Sequence, residues 1–120
     1  LLEVTVMADE EQFPHQKLDA YQAAKELTRI VFASRIRDED LRDQAQRAAR
    51  SVFLQLCEGL PNDRIAMRRN YFNRARDSLF ELVGCLDVAN TVGALDDEHA
   101  KAAHAVALRV RAMLVGLLRR

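Results

Sequence analysis

Apolar residues recur along this chain at spacings of three and four, the period of an α-helix with one buried face. Four such stretches stand out, separated by short breaks. The first runs from about His15 to Ile36, with Tyr21, Ala24, Leu27, Thr28, Val31 and Phe32 as its inner stripe. In the second, from about Asp40 to Glu58, Leu41, Ala45, Ala48, Val52 and Leu56 fall on one line, widened by Ala49, Phe53 and Leu60. Gly59 suits the position just past that helix, and Pro61 the stop beyond it. Asn62 suits the N-cap of a third helix that continues to about Val92. Its seam is Phe72, Ala75, Leu79, Leu82, Leu86 and Ala89, and Gly93 closes it. Asp96, Asp97 and Glu98 then crowd the first turn of a fourth helix, where the helix dipole favours acids. Ala103, Val106, Ala107, Val110, Leu114 and Leu117 form its stripe, and Arg119 and Arg120 stand at its end, where cations are favoured.

Breaks this short let each helix pack only against its sequence neighbours in alternating directions. The chain therefore reads as all-α: one antiparallel up-down-up-down four-helix bundle over residues 15–120, with residues 1–14 as an N-terminal tail. Within that tail, Met7-Ala8-Asp9 reads as a natural start, preceded by six largely apolar residues. Such a segment is expected to dock, for instance on a neighbouring subunit.

The apolar faces are wider than one bundle needs. The third helix adds Tyr71, Phe80, Val83, Cys85 and Val88, and the fourth adds Leu108, Val115 and Leu118. A helix that is apolar over much of its circumference is buried on more than one side. Self-association into a symmetric homo-oligomer is the reading that uses this surplus.

Composition agrees with helices. Only four Gly and two Pro occur in 120 residues, and 49% of the chain is hydrophobic. The net charge is zero, so nothing global draws the protein to nucleic acid or an anionic membrane. The zero hides blocks, however. Residues 77–98 hold six acids and no base, whereas residues 99–120 hold five bases and no acid. Cys57 and Cys85 are far apart without metal-ligand spacing, and read as small core residues of a reduced, cytoplasmic protein. No apolar run reaches the ~20 residues a membrane span needs.

A second pattern runs beside the core seam. Gln44, Arg47, Ser51 and Glu58 lie along one face of the second helix, and Arg74, Ser78 and Glu81 form a similar set on the third. Either these are two solvated faces, or they form a network of Arg–carboxylate pairs and serines that fixes helix register.

The residues around these stripes resemble a known family. Leu41-Arg-Asp-Gln44-Ala-Gln-Arg47-Ala48-Ala-Arg-Ser51-Val52, followed by Glu58-Gly59, is similar to the signature of the four-helix-bundle proteins encoded in intervening sequences of bacterial 23S rRNA genes. Leu18-Asp-Ala-Tyr21-Gln-Ala-Ala24-Lys-Glu-Leu27 resembles that family's first helix, and Tyr71-Phe72-Asn-Arg-Ala75-Arg-Asp-Ser78-Leu79-Phe-Glu81-Leu82 its third. The likeness covers roughly residues 16–92. It departs at Leu54, Gln55 and Cys57, where the family has Pro, Asn and Ala, and at Asp77, where it has Gly. The resemblance implies a symmetric homo-oligomer, notably a pentamer, and favours the structural network over two solvated faces. It also implies a link to retroelement accessory proteins whose basic pentamers bind nucleic acid and a reverse transcriptase.

No catalytic pattern accompanies these features. The Glu-x-x-His pairs of di-iron bundles are missing, as are a phosphate loop and a nucleophile elbow. His15, His99 and His104 are scattered, and Asp96-x-x-His99 reads as a helix cap. No catalytic residue, cofactor or metal ligand is assigned. Arg64, Arg68, Arg69 and Arg76 make a modest patch for RNA or other nucleic acid, because Arg grips phosphates. The leading expectation is a non-enzymatic scaffold or adapter that binds copies of itself and an unidentified protein partner. RNA binding through a ring of these Arg residues is the alternative.

Overall fold

The computed structural model describes residues 13–119. The expected docking of residues 1–6 falls outside them, as does Arg120. A single 3-10 turn, Pro14–Lys17, leads into four helices: α1 (Asp19–Ala33), α2 (Glu39–Gly59), α3 (Ile65–Thr91) and α4 (Asp97–Leu118). Among the described residues there is no strand.

Helix α1 is shorter at both ends than its periodicity predicts. Leu18 is extended, at φ −76° and ψ 144°, and separates the opening turn from the helix. At the other end Ser34 is extended too, and its hydroxyl donates to the Ile30 carbonyl at 2.7 Å. Ile36 lies beyond the helix yet is 1% exposed. It enters the core from the loop, so its apolar character counted toward a helix it does not join.

The remaining helices start on side-chain caps or close substitutes. Asp38 caps α2 by accepting from the Leu41 N–H at 2.9 Å, and Asp96 caps α4 by accepting from the His99 N–H at 2.8 Å. Helix α3 differs from the sequence expectation: its N-cap is Arg64. Asn62 instead accepts from the Arg64 N–H at 2.9 Å, forming a turn one step ahead of the helix.

Each helix packs on the next, and α1 also packs on α4, so the four enclose one core. Phe72, Leu27, Leu56, Leu79, Leu82 and Leu114 are its largest sealed helical side chains. Each contributes about 1.5–3 kcal/mol by leaving water. Helices α2 and α3 share the most extensive contact. Ala45, Ala48 and Ala49 on α2 and Ala75 on α3 are buried, and such small side chains let helices approach closely.

Gly59 takes this to its limit. It is the last residue of α2, with Leu60 as an αR C-cap, and so does not terminate the helix in a left-handed turn. A Cβ on Gly59 would lie 2.8 Å from Phe72 Cε1 and 3.0 Å from Tyr71 Cβ. The glycine is there for proximity. Gly93, by contrast, does turn the chain after α3, at φ +79°.

Arginine side chains close both ends of the bundle. At one end the Arg37 backbone N–H donates to the Ala94 carbonyl at 2.8 Å and its guanidinium to Gly93 at 2.6 Å, which ties the α1–α2 loop to the α3–α4 loop. At the other, Arg68 donates to the Leu60 carbonyl at 3.4 Å and Arg69 to the Leu118 carbonyl. Those carbonyls belong to the ends of α2 and α4, where the helix leaves acceptors without partners.

Candidate functional site

The polar stripes meet in a cleft of about 340 Å³ between α2 and α3, lined by Gln44, Arg47, Ala48, Ser51, Ser78 and Glu81. Ala48 is 2% exposed and forms part of the wall. Ser51 and Ser78 share a 2.7 Å hydrogen bond across the two helices, and both are half-buried. They are the polar contact that locks one helix against the other. Of the seven expected network residues, five thus come together, while Glu58 and Arg74 lie outside the cleft.

The expected ion pairs are not formed. The two salt bridges among the described residues are Arg109–Glu26 at 3.1 Å and His99–Asp96 at 2.7 Å. Arg47, Glu58, Arg74 and Glu81 are all exposed. Arg74 lies over the Tyr71 ring instead, 6.0 Å from its centroid. The cause is depth: the stripe sits on the shoulder of the interface, where water solvates long charged side chains, and only the short serines reach the protein-protein contact. Ser34, 4% exposed, is the one buried polar residue among the described residues.

One residue on the same face escaped the sequence reading. Gln55 follows Ser51 by four residues and precedes Glu58 by three, so it falls on the same line of α2. Its Oε1 is sealed from solvent and has no hydrogen-bond donor. An acceptor left in that state costs about 1–3 kcal/mol. The spacing alone would have located it.

The Arg patch is reorganised by the fold. Arg68 and Arg69 spend a donor each on the carbonyls at the ends of α2 and α4, and Arg68 also lies 5.3 Å from the Phe72 ring centroid. Together with Ile65, Phe72 and Leu117 they border a cavity of about 300 Å³ at that end of the bundle. Arg64 is exposed and Arg76 half-buried. The first turn of α3 carries no acid, although Asp63, just ahead of the Arg64 N-cap, borders the same cavity and offsets part of the positive charge there.

Cys85 is buried and Cys57 half-buried. Burial pushes both thiols up, and the neighbouring carboxylates, Glu58 for Cys57 and Glu81 for Cys85, push the same way. Neither is activated as a nucleophile. Asp96 is held below the usual carboxylate range, first by the His99 N–H and then by the His99 ring. Among the described residues no three candidate metal ligands converge, and no helix is long and apolar enough to cross a membrane.

A family model described as 23S rRNA-intervening sequence protein matches residues 16–116. No curated protein matches the chain.

Proposed function

This chain belongs to the family of 23S rRNA-intervening sequence proteins, and from that premise we propose that it is a non-enzymatic, cytoplasmic scaffold that assembles with copies of itself and recruits a protein partner. Its helices alternate in direction. Support for that comes from paired contacts: Ser51 meets Ser78 while Gly59, further along α2, meets Phe72, earlier in α3. Asn90 likewise meets Asp97, while Arg69 meets Leu118.

The observation that carries assembly is the exposure of large apolar side chains on helices that already supply the core. Phe80 is 55% exposed, Val88 49% and Leu108 51%. An apolar surface of this kind marks an interaction face. Five copies is the number the family resemblance implies. Light scattering on a gel-filtration column tests it: the expected result is a single species several times the 13.6 kDa chain mass, five-fold for the pentamer. A monomer at micromolar concentration refutes the scaffold.

The second reading is nucleic-acid binding. It is favoured by the acid-free first turn of α3 beside Arg64, Arg68 and Arg69. It ranks below the scaffold because Arg68 and Arg69 are already engaged with backbone carbonyls. Titration of a labelled structured RNA decides it. Binding that Arg64→Glu with Arg76→Glu abolishes supports this reading; no binding at low ionic strength removes it.

A further inference from the structure

The two charge blocks of the sequence become two matching faces in the fold. On α3, Asp77, Glu81, Gly84 and Val88 are spaced four, three and four, so they form one line, and all four are exposed. Phe80 and Asp87 flank it, also exposed. On α4, Lys101, Ala105, Leu108 and Ala112 repeat the same spacing, again all exposed, with Arg111 beside them. From Asp77 to Val88 the α3 line carries only acids beside its apolar strip, and from Lys101 to Ala112 the α4 line only a base; exposed Arg74 and Glu98 stand one step before each. None of Asp77, Asp87, Lys101 or Arg111 has an ion-pair partner within its own chain among the described residues. Asp87 and Lys101 even border one groove without pairing.

We propose that these two faces are the halves of one joint, with α3 of one copy seated on α4 of the next. The partner is a second copy of this chain, and the inference rests on the scaffold reading above. Charge complementarity selects this occupant. Each acidic strip needs a basic strip with the same apolar spacing, and α4 of another copy offers it. Two α3 faces would oppose carboxylate to carboxylate, and two α4 faces cation to cation, which is unfavourable. Made once per copy, the contact is heterologous and repeats into a ring or a filament; made twice, each α3 on the other copy's α4, it closes as a two-fold pair. The apolar strips supply the burial, and the charges set partner and register.

Charge reversal tests the joint. Asp77→Lys with Asp87→Lys makes both faces basic; Lys101→Glu with Arg111→Glu makes both acidic. Each pair is expected to weaken self-association at least ten-fold by analytical ultracentrifugation, with helical circular dichroism unchanged. The chain carrying all four changes has its faces exchanged and is expected to assemble as the wild type does. That rescue excludes simple misfolding as the cause of the losses. Wild-type assembly that neither pair disturbs overturns the joint and leaves the scaffold standing. A monomeric wild type overturns the scaffold itself, and the joint with it.

Discussion

Replacing Gly59 with Ala sets two effects of known sign against each other. In an open helix the change stabilises, because Gly loses more backbone freedom on folding; the gain is about 0.5–1 kcal/mol. At Gly59 the added methyl meets Phe72 Cε1 at 2.8 Å, Phe72 Cδ1 at 3.0 Å and Tyr71 Cβ at 3.0 Å. Phe72 is fully buried and its ring is stiff, so it cannot yield toward solvent. Overpacking of that kind costs about 1–3 kcal/mol. The clash wins, and Gly59→Ala is expected to destabilise the protein by ~1–2 kcal/mol. Urea unfolding followed by circular dichroism reads this as a lower midpoint at unchanged slope. Gly116→Ala is the control: it is helical, and a Cβ there meets nothing within 4 Å. It is expected to be neutral or stabilising by up to about 0.5 kcal/mol. A double change, Gly59→Ala with Phe72→Leu, shrinks the obstructing ring and should cost less than the two single changes added. A Gly59→Ala protein as stable as the wild type would refute the close-approach argument.

Other outcomes follow from the same structure. Gln55→Leu removes a sealed acceptor that has no donor and should raise stability by ~1 kcal/mol in the same assay. Ser51→Ala and Ser78→Ala should each destabilise, and a double-mutant cycle should return about 0.5–1.5 kcal/mol of coupling. Asp96 titrates below its unfolded value of about 3.9, so its contribution is complete above that pH and is lost as pH falls through the lower folded value. Asp96→Ala should therefore lower stability near neutrality and flatten the acid limb of the stability–pH curve.

The bundle was legible in the sequence because helical burial follows a period that a single chain displays. Every seam residue of α3, Phe72 through Ala89, is buried as its spacing requires. Phe32 was counted with the inner stripe of α1 but is 41% exposed, because it lies one residue, about 100°, round the helix from the sealed Val31 and rests against Arg50 outside the core. Spacing gives direction around a helix and says nothing of depth. For that reason the polar stripe was placed on the right face while its ion pairs were not: charged tips reach water where serines cannot. Asn62 and Gly59 show a different limit. Each residue type suits more than one local role; for Asn62 the choice is a local turn onto the Arg64 N–H, and for Gly59 it is set by Phe72, distant in sequence. Likewise nothing in the chain's order shows that Arg68 and Arg69 face the ends of two other helices.

That last arrangement has a dynamic consequence. Helix ends ordinarily open one at a time, at little cost. Here two consecutive residues in the first turns of α3 hold the last carbonyls of α2 and α4. Opening the first turns of α3 frees both other ends, whereas opening α2 or α4 alone breaks one contact. Deuterium exchange at the ends of α2 and α4 should therefore speed up together when the start of α3 is weakened.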